Sequence, residues 1–371
     1  MSINSIVARP TAAICMIFLL AYIPMSAHST YDYSPNRIIE KPHFSEQDII
    51  DRLNNISSII DINYTPEVGR RIKEYTVNYR VSGEKILGRV NLFFPIIEKY
   101  IQEKNLPDDL KYVAIVESNL DPRAMSKSGA SGLWQFIKST GKMQGLEINN
   151  TIDERRDPEK STEAALEYLS YLYEKFDDWT LALAAYNCGP GNIRKAIRRS
   201  GGKNDYWSIR KHLPNETQKY IPRIIAAMYL MKYYHAHDLR PEIQDADLRN
   251  TIKINDGIGH NFKKLSETLG LDYKTLIYLN PKYSNTSFPK NNGRHDLVIP
   301  ASRKMIYLAN YNHEEYARLR EQRIRTEKEL LAIENAKSMK KPLIDALVHI
   351  DGISYPEVYS RELNNNVNIA M

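Results

Sequence analysis

Glu117 lies in the last turn of an apolar helical run, directly after Ile115 and Val116. A charge there is costly unless it is paired or put to use. Ser118 stands beside it, and further along come Gly129-Ala130-Ser131-Gly132-Leu133-Trp134-Gln135 and Ala185-Tyr186-Asn187-Cys188-Gly189-Pro190-Gly191. Desolvation by Ile115, Val116 and Trp134 would raise the pKa of Glu117. Such a carboxyl group can start a reaction protonated near neutral pH and serve as general acid. Asp121 offers a second carboxylate one helical turn on, although its place before Pro122 suits a helix end. Ser118 and Ser126 could orient Glu117, bind a ligand or cap the chain locally. The charged stretch Asp153 to Asp157 reads as a salt-bridged loop entering a helix at Pro158 rather than as a metal site. Cys188 reads as a small buried hydrophobe rather than a reactive thiol.

The elements that must position these groups are mostly helices. Apolar residues recur at helical spacing in Ile49, Leu53, Ile56 and Ile60, and again in Val90, Phe94, Ile97 and Ile101. Pro107, Asp108 and Asp109 announce the helix that carries Glu117. A loop rich in Ser and Gly, Ser126 to Gly132, separates it from the short apolar segment Leu133 to Ile137. An amphipathic helix follows, with Ala165, Tyr168, Leu169, Leu172 and Phe176 on one stripe. Trp179 to Tyr186 is apolar almost all round and so deeply buried; Ile193 to Arg199 and Thr217 to Tyr234 are two further helices. The pattern then changes to strand, helix, helix, strand: Thr251 to Ile254, Phe262 to Leu269, Tyr273 to Leu279, and Leu297 to Ile299. Glu314 to Asn335 is a charged helix with little apolar face, and Asn364 to Asn368 is polar and loose.

The 371 residues, 42% hydrophobic and 26% charged, suffice for more than one core. The net charge of +6 reads as spread along the chain rather than gathered in one basic block, and suits weak attraction to an acidic polymer. No zinc-ligand array, Gly-rich phosphate loop or Lys/Arg run interleaved with aromatics points to nucleic acid. Arg9 precedes an apolar run from about Thr11 to Met25 that ends in small residues, which reads as a secretory signal over residues 1–29. A retained anchor, and with it membrane association, is the alternative. Cys15 sits inside that run and is not placed for lipidation. After cleavage only Cys188 remains, so an internal disulfide is excluded.

Together, the motifs around Glu117, Gln135 and Asn187 resemble the lytic transglycosylases whose SLT catalytic domain shares the goose-type lysozyme fold. The resemblance extends from about Gly83 to Tyr234. It is nearest the D-type branch, because the chain also carries Asp153-Glu154-Arg155-Arg156-Asp157-Pro158, Phe176-Asp177-Asp178-Trp179 and Glu216-Thr217-Gln218-Lys219-Tyr220-Ile221-Pro222-Arg223. Trp134 replaces the methionine of the family's commonest Gly-Leu-Met-Gln pattern, as is usual in that branch. The resemblance implies that Glu117 is the catalytic acid and base. It places Ser126, Gln135, Asn187 and Tyr220 along the sugar groove, with Ser118 and Tyr186 completing the candidate binding set.

The resemblance further implies cleavage of the MurNAc-GlcNAc bond of peptidoglycan outside the cytoplasmic membrane, with no metal or cofactor. An ordinary glycosidase needs two carboxylates. Here the muramic acid 6-hydroxyl would be the nucleophile, giving a 1,6-anhydro ring, and one carboxyl group would suffice. The expected architecture is mainly α. It comprises an N-terminal helical segment (30–82), an all-helical, lysozyme-like catalytic domain (83–240), a small α+β module (251–302), and a charged helix and flexible tail (303–371). The small module is similar to a LysM peptidoglycan-binding module, but Asn255-Asp256-Gly257 replaces the usual opening turn; simple packing on the catalytic domain is the other reading. Hydrolysis by the same scaffold, or wall binding without catalysis, are the competing functions.

Overall fold

The computed structural model describes residues 45–350 except 284–285 and 291–292, with side chains described up to 338. The expected signal and the polar stretch Asn364 to Asn368 lie outside the described residues. Among those described, no helix is long and apolar enough to cross a membrane.

Helix α1 (Glu46–Asn54) opens with a capping box in which Ser45 and Asp48 each accept the other's backbone N–H. Helix α2 (Pro66–Lys73) has Thr65 as its cap and Pro66 at its first position. A π-helical turn, Glu74–Asn78, leads to the long α3 (Arg80–Glu103). A 3-10 turn, Asp108–Lys111, feeds α4 (Tyr112–Ser118), which stops because Asn119 turns left-handed. Then follow α5 (Lys138–Met143), α6 (Pro158–Phe176), α7 (Trp179–Cys188), α8 (Pro190–Arg199), α9 (Tyr206–Ile209) and α10 (Tyr220–Tyr233). Short α5 falls where the sequence shows no apolar periodicity.

Helices α7 and α10 are the most enclosed, and their composition explains it. Every residue of α7 from Thr180 to Ala185 is buried, as is every residue of α10 from Tyr220 to Leu230 except Arg223. A helix apolar on all sides is stable only inside a core. Helix α10 packs on α2, α4 and α7, so residues from Ile49 to Leu239 share one continuous core.

Past α11 (Ala246–Arg249) the chain forms β1 (Thr251–Ile254), β2 (His260–Asn261), α12 (Phe262–Leu269), α13 (Tyr273–Leu279), β3 (Ser287–Phe288) and β4 (Leu297–Pro300). Strand β1 pairs antiparallel with β4, Thr251 opposite Pro300, and β2 pairs with β3. The strand-helix-helix-strand order is as expected; the two-residue β2 and β3 are too short to leave a period. This module's core reaches beyond residue 302, taking in Tyr307 and Leu308 of α14 (Lys304–Tyr311). The Tyr307 hydroxyl, hydrogen-bonded to His260 Nε2 at 2.7 Å, donates to Asp256 at 2.6 Å and ties α14 down. Helix α15 (His313–Ile350) follows.

The small module is joined to the helical body. Ile152, from the loop before α6, is buried in the module's core, and the Asp153 N–H donates to the Lys282 carbonyl. Lys282 forms an ion pair with Asp157, the cap of α6, at 2.7 Å. The structure is mainly α with a small α+β module, as the sequence implies.

Candidate active site

Glu117 is carried on the last turn of α4 and receives a hydrogen bond from the Tyr220 hydroxyl, which donates to Oε1 at 2.6 Å. Tyr220 is the first residue of α10 and only 1% exposed. Its hydroxyl is therefore not at the surface but is spent on Glu117. Among the described residues Glu117 Oε2 has no hydrogen-bond partner.

Burial raises the Glu117 carboxyl from the ordinary carboxylate range to about 7. The Tyr220 hydrogen bond and the Arg223 guanidinium pull the other way, and Glu216 pushes up again. Glu117 as a whole residue is only partly covered from solvent. Desolvation still dominates, because Val113, Ala114 and Ile115 behind it and Tyr220 beside it are buried and exclude water from most of its shell. Arg223 and Glu216 form an ion pair with each other. Neither has a role in the sequence reading. Their signal was visible nonetheless: Arg223 lies three residues after Tyr220, hence on the same helical face.

The other expected site residues divide into those around the carboxyl and those that hold the loop. Tyr186, on α7, lies close enough that Glu117 helps to raise its pKa, after burial; its hydroxyl donates to the Trp134 carbonyl at 2.8 Å. Asn187 Oδ1 accepts from Thr217 Oγ1 at 2.8 Å, linking the end of α7 to the approach of α10. Ser118 Oγ donates to the carbonyls of Ala114 (3.0 Å) and Leu133 (2.9 Å), so it ties the end of α4 to the Ser/Gly loop. Ser126 Oγ accepts from the Ala130 N–H at 3.0 Å and meets Ser128 Oγ at 2.9 Å. Gln135, at φ +50°, donates from Nε2 to the carbonyls of Ala124 and Gly132.

Asp121 accepts from the Arg123 N–H at 2.9 Å and lies 3.5 Å from Arg89, a turn-forming role. Cys188 is half-buried rather than buried, and burial pushes its thiol up, away from the reactive thiolate.

The Ser/Gly loop is held from beneath. Trp134, fully buried, donates from Nε1 to Thr162 Oγ1 on α6 at 2.9 Å. Arg155, paired with Asp153 at 2.7 Å, donates to the carbonyls of Gly129 and Phe136. Gly132, at φ +84°, lies so close that a Cβ there would sit 1.7 Å from the Arg155 carbonyl oxygen. Only glycine fits. The Asp153 to Asp157 stretch is thus a salt-bridged loop entering α6. Glu147, Glu154 and His295 bring potential ligand atoms within 4.8 Å of one another on that loop and the module. However, Glu154 Oε2 already accepts the Glu147 N–H at 2.8 Å, and Glu147 lies 3.4 Å from His295.

Chemically, the arrangement is a carboxyl group that is protonated near neutral pH, anchored through one oxygen and open at the other. Residues 94–209 match the family model described as Transglycosylase SLT domain. The chain is similar to membrane-bound lytic murein transglycosylase D of Escherichia coli K12, with 35% identity over 184 residues covering 48% of this chain and 40% of that one. It is also similar to the soluble lytic murein transglycosylase of the same strain, with 29% identity over 38% of this chain and 23% of that one. Among solved structures, the 70 kDa soluble lytic transglycosylase of Escherichia coli superposes with a TM-score of 0.34 and 28% identity, over 38% of this chain and 24% of that one. The chain spans about two fifths of the first relative's length and about a quarter of the second's.

Proposed function

We propose, from the transglycosylase SLT domain formed by residues 94–209, that this chain is a lytic transglycosylase that cleaves the MurNAc-GlcNAc bond of peptidoglycan and leaves 1,6-anhydro-muramic acid ends. The observation that carries the reading is the Glu117 carboxyl, raised to about 7 and fixed through Oε1 by Tyr220.

With Oε1 committed to Tyr220, the acidic proton resides on Oε2, the oxygen left free. Oε2 protonates the bridging oxygen as the glycosidic bond breaks. It then takes the proton of the muramic acid 6-hydroxyl as that oxygen closes on C1, so Glu117 returns to its starting state. Ring closure within one sugar has high effective molarity, and water need not be activated. Ser126, Gln135, Tyr186, Asn187 and Tyr220 line the groove in this reading. Ser118 acts indirectly, by fixing the loop to α4. The catalytic domain is residues 83–240, followed by a module at 251–302, and the substrate places the protein outside the cytoplasmic membrane after removal of residues 1–29.

The test is release of soluble fragments from purified sacculi by the protein and by Glu117→Gln. Release that disappears in the variant supports the reading. Binding without release by either protein would make it a wall-binding protein.

A further inference from the structure

The formal surplus of charge is not spread along the chain, as composition suggests. Between residues 189 and 212 there are seven Lys or Arg and one Asp, a difference equal to the +6 of the whole protein. Most of it is on one helix. Helix α8 buries Ile193 and Ala196 and exposes Arg194, Lys195, Arg198 and Arg199. Lys203, in the loop after α8, and Lys211, on a turn that α8 packs against, are also exposed.

Charged helices are ordinarily neutralised from within, and this protein shows it: on α15, Arg318, Arg323 and Arg325 pair with Glu315, Glu327 and Glu329. Among the described residues, none of the four α8 cations has an ion-pair partner. Arg194 with Arg198, and Lys195 with Arg199, are like-charge pairs at four-residue spacing, each mildly destabilising. The helix dipole favours Arg198 and Arg199 in the last turn but not the other two. A surface kept at this cost fits a polyanion.

Two placements identify the polyanion. First, the helix begins two residues after Cys188, and Asn187 beside that cysteine is hydrogen-bonded to Thr217, three residues ahead of Tyr220. The start of the basic helix is therefore tied, through Asn187 and Thr217, to the chain that leads into Tyr220 of the Glu117 site. Second, the apolar side of α8 is used up in the core, and no large hydrophobic residue between 189 and 212 is exposed. Such a face has nothing to insert into a lipid surface and offers charge alone.

We propose that the exposed face of α8 is a docking surface for the peptide-stem carboxylates of the glycan strand that lies across Glu117. This rests on the proposed action on peptidoglycan. Recognition is electrostatic, so it weakens as salt screens it.

The experiment uses the full chain with Arg194, Lys195, Arg198 and Arg199 all changed to Gln, which keeps helix propensity. Binding is measured in a Glu117→Gln background, by pelleting with sacculi and with strands from which an amidase has removed the stems. The expected result is a loss of roughly tenfold in binding to stem-bearing sacculi at low salt, with little change on stripped strands. High salt should abolish the difference. If the quadruple variant is unstable, Lys195→Gln with Arg199→Gln should give an intermediate loss. Equal binding by variant and parent, or equal losses on both substrates, would overturn the proposal. So would unchanged sacculus binding with a selective loss on phosphatidylglycerol vesicles. Because binding is read without turnover, failure here is distinct from failure of the enzymatic reading, which fragment release by the Glu117-containing protein decides.

Discussion

The Tyr220 hydroxyl meets Glu117 Oε1 at 2.6 Å, although the two residues are 103 apart in the chain. The bond joins the last turn of α4 to the first residue of α10, so two helices packed in one core fix the position of one carboxyl oxygen. It also works against burial, which alone would raise the carboxyl further. The pair thus sets both where the acid points and where it titrates.

The pH dependence follows from that balance. A general acid must be protonated in the free enzyme, so kcat/KM should be high below pH 7 and fall as pH rises through about 7. Tyr220→Phe removes a contact that favours the charged form, and should move this limb to higher pH. Loss of positioning should lower the rate below the limb by about 10- to 100-fold. A limb that stays in place in the variant would show that Tyr220 does not act on Glu117.

Stability should carry the same signature with a definite sign. A carboxyl group whose folded pKa is raised holds its proton in the folded state where the unfolded chain has lost it. Stability attributable to Glu117 therefore falls as pH rises from its ordinary value toward 7 and stays low above. Glu117→Gln should be more stable than the parent at pH 8, by about 1–3 kcal/mol after allowing for partial exposure. At pH 4 the difference should be small. Denaturant melts at the two pH values measure it.

Much of this was legible in the chain itself. The periods of α3 and α6 follow from their stripes, α7 shows as an unbroken apolar run, and Glu117 betrayed itself by sitting after Ile115 and Val116. What could not be read depends on contacts distant in sequence. Ser118 could bind, orient or cap; its bond to the Leu133 carbonyl exists only once the Ser/Gly loop folds back on α4. The basic face of α8 was local and visible, but averaging charge over 371 residues hid it. The Asp157–Lys282 pair spans 125 residues, and no local pattern announces it.

Gly132 should tolerate no side chain. Gly132→Ala places a Cβ against the Arg155 carbonyl and requires φ of +84° from an L-residue. The expected cost is about 2–4 kcal/mol, with activity reduced as the Ser/Gly loop shifts. Chemical denaturation beside fragment release checks it; an unchanged midpoint would contradict the described packing.

Asp157 both caps α6 and pairs with Lys282. Burial pushes its carboxyl up, but Lys282 and the N–H groups of Lys160 and Glu159 outweigh it and hold the pKa below the usual aspartate range. Asp157→Asn keeps a cap but strands the Lys282 charge, and should cost about 2–4 kcal/mol near neutral pH. Since a lowered carboxyl loses its contribution as pH falls through its folded pKa, variant and parent should converge in strong acid. Urea midpoints across pH would show the convergence.

In the proposed function one carboxyl group, Glu117, drives closure of a sugar onto itself rather than attack by water. Mass spectrometry of the termini released from purified peptidoglycan reads this directly. Muramic acid ends lighter than reducing ends by one water are expected with the parent protein and not with Glu117→Gln. Reducing ends released in a Glu117-dependent way would contradict it and make the chain a hydrolase.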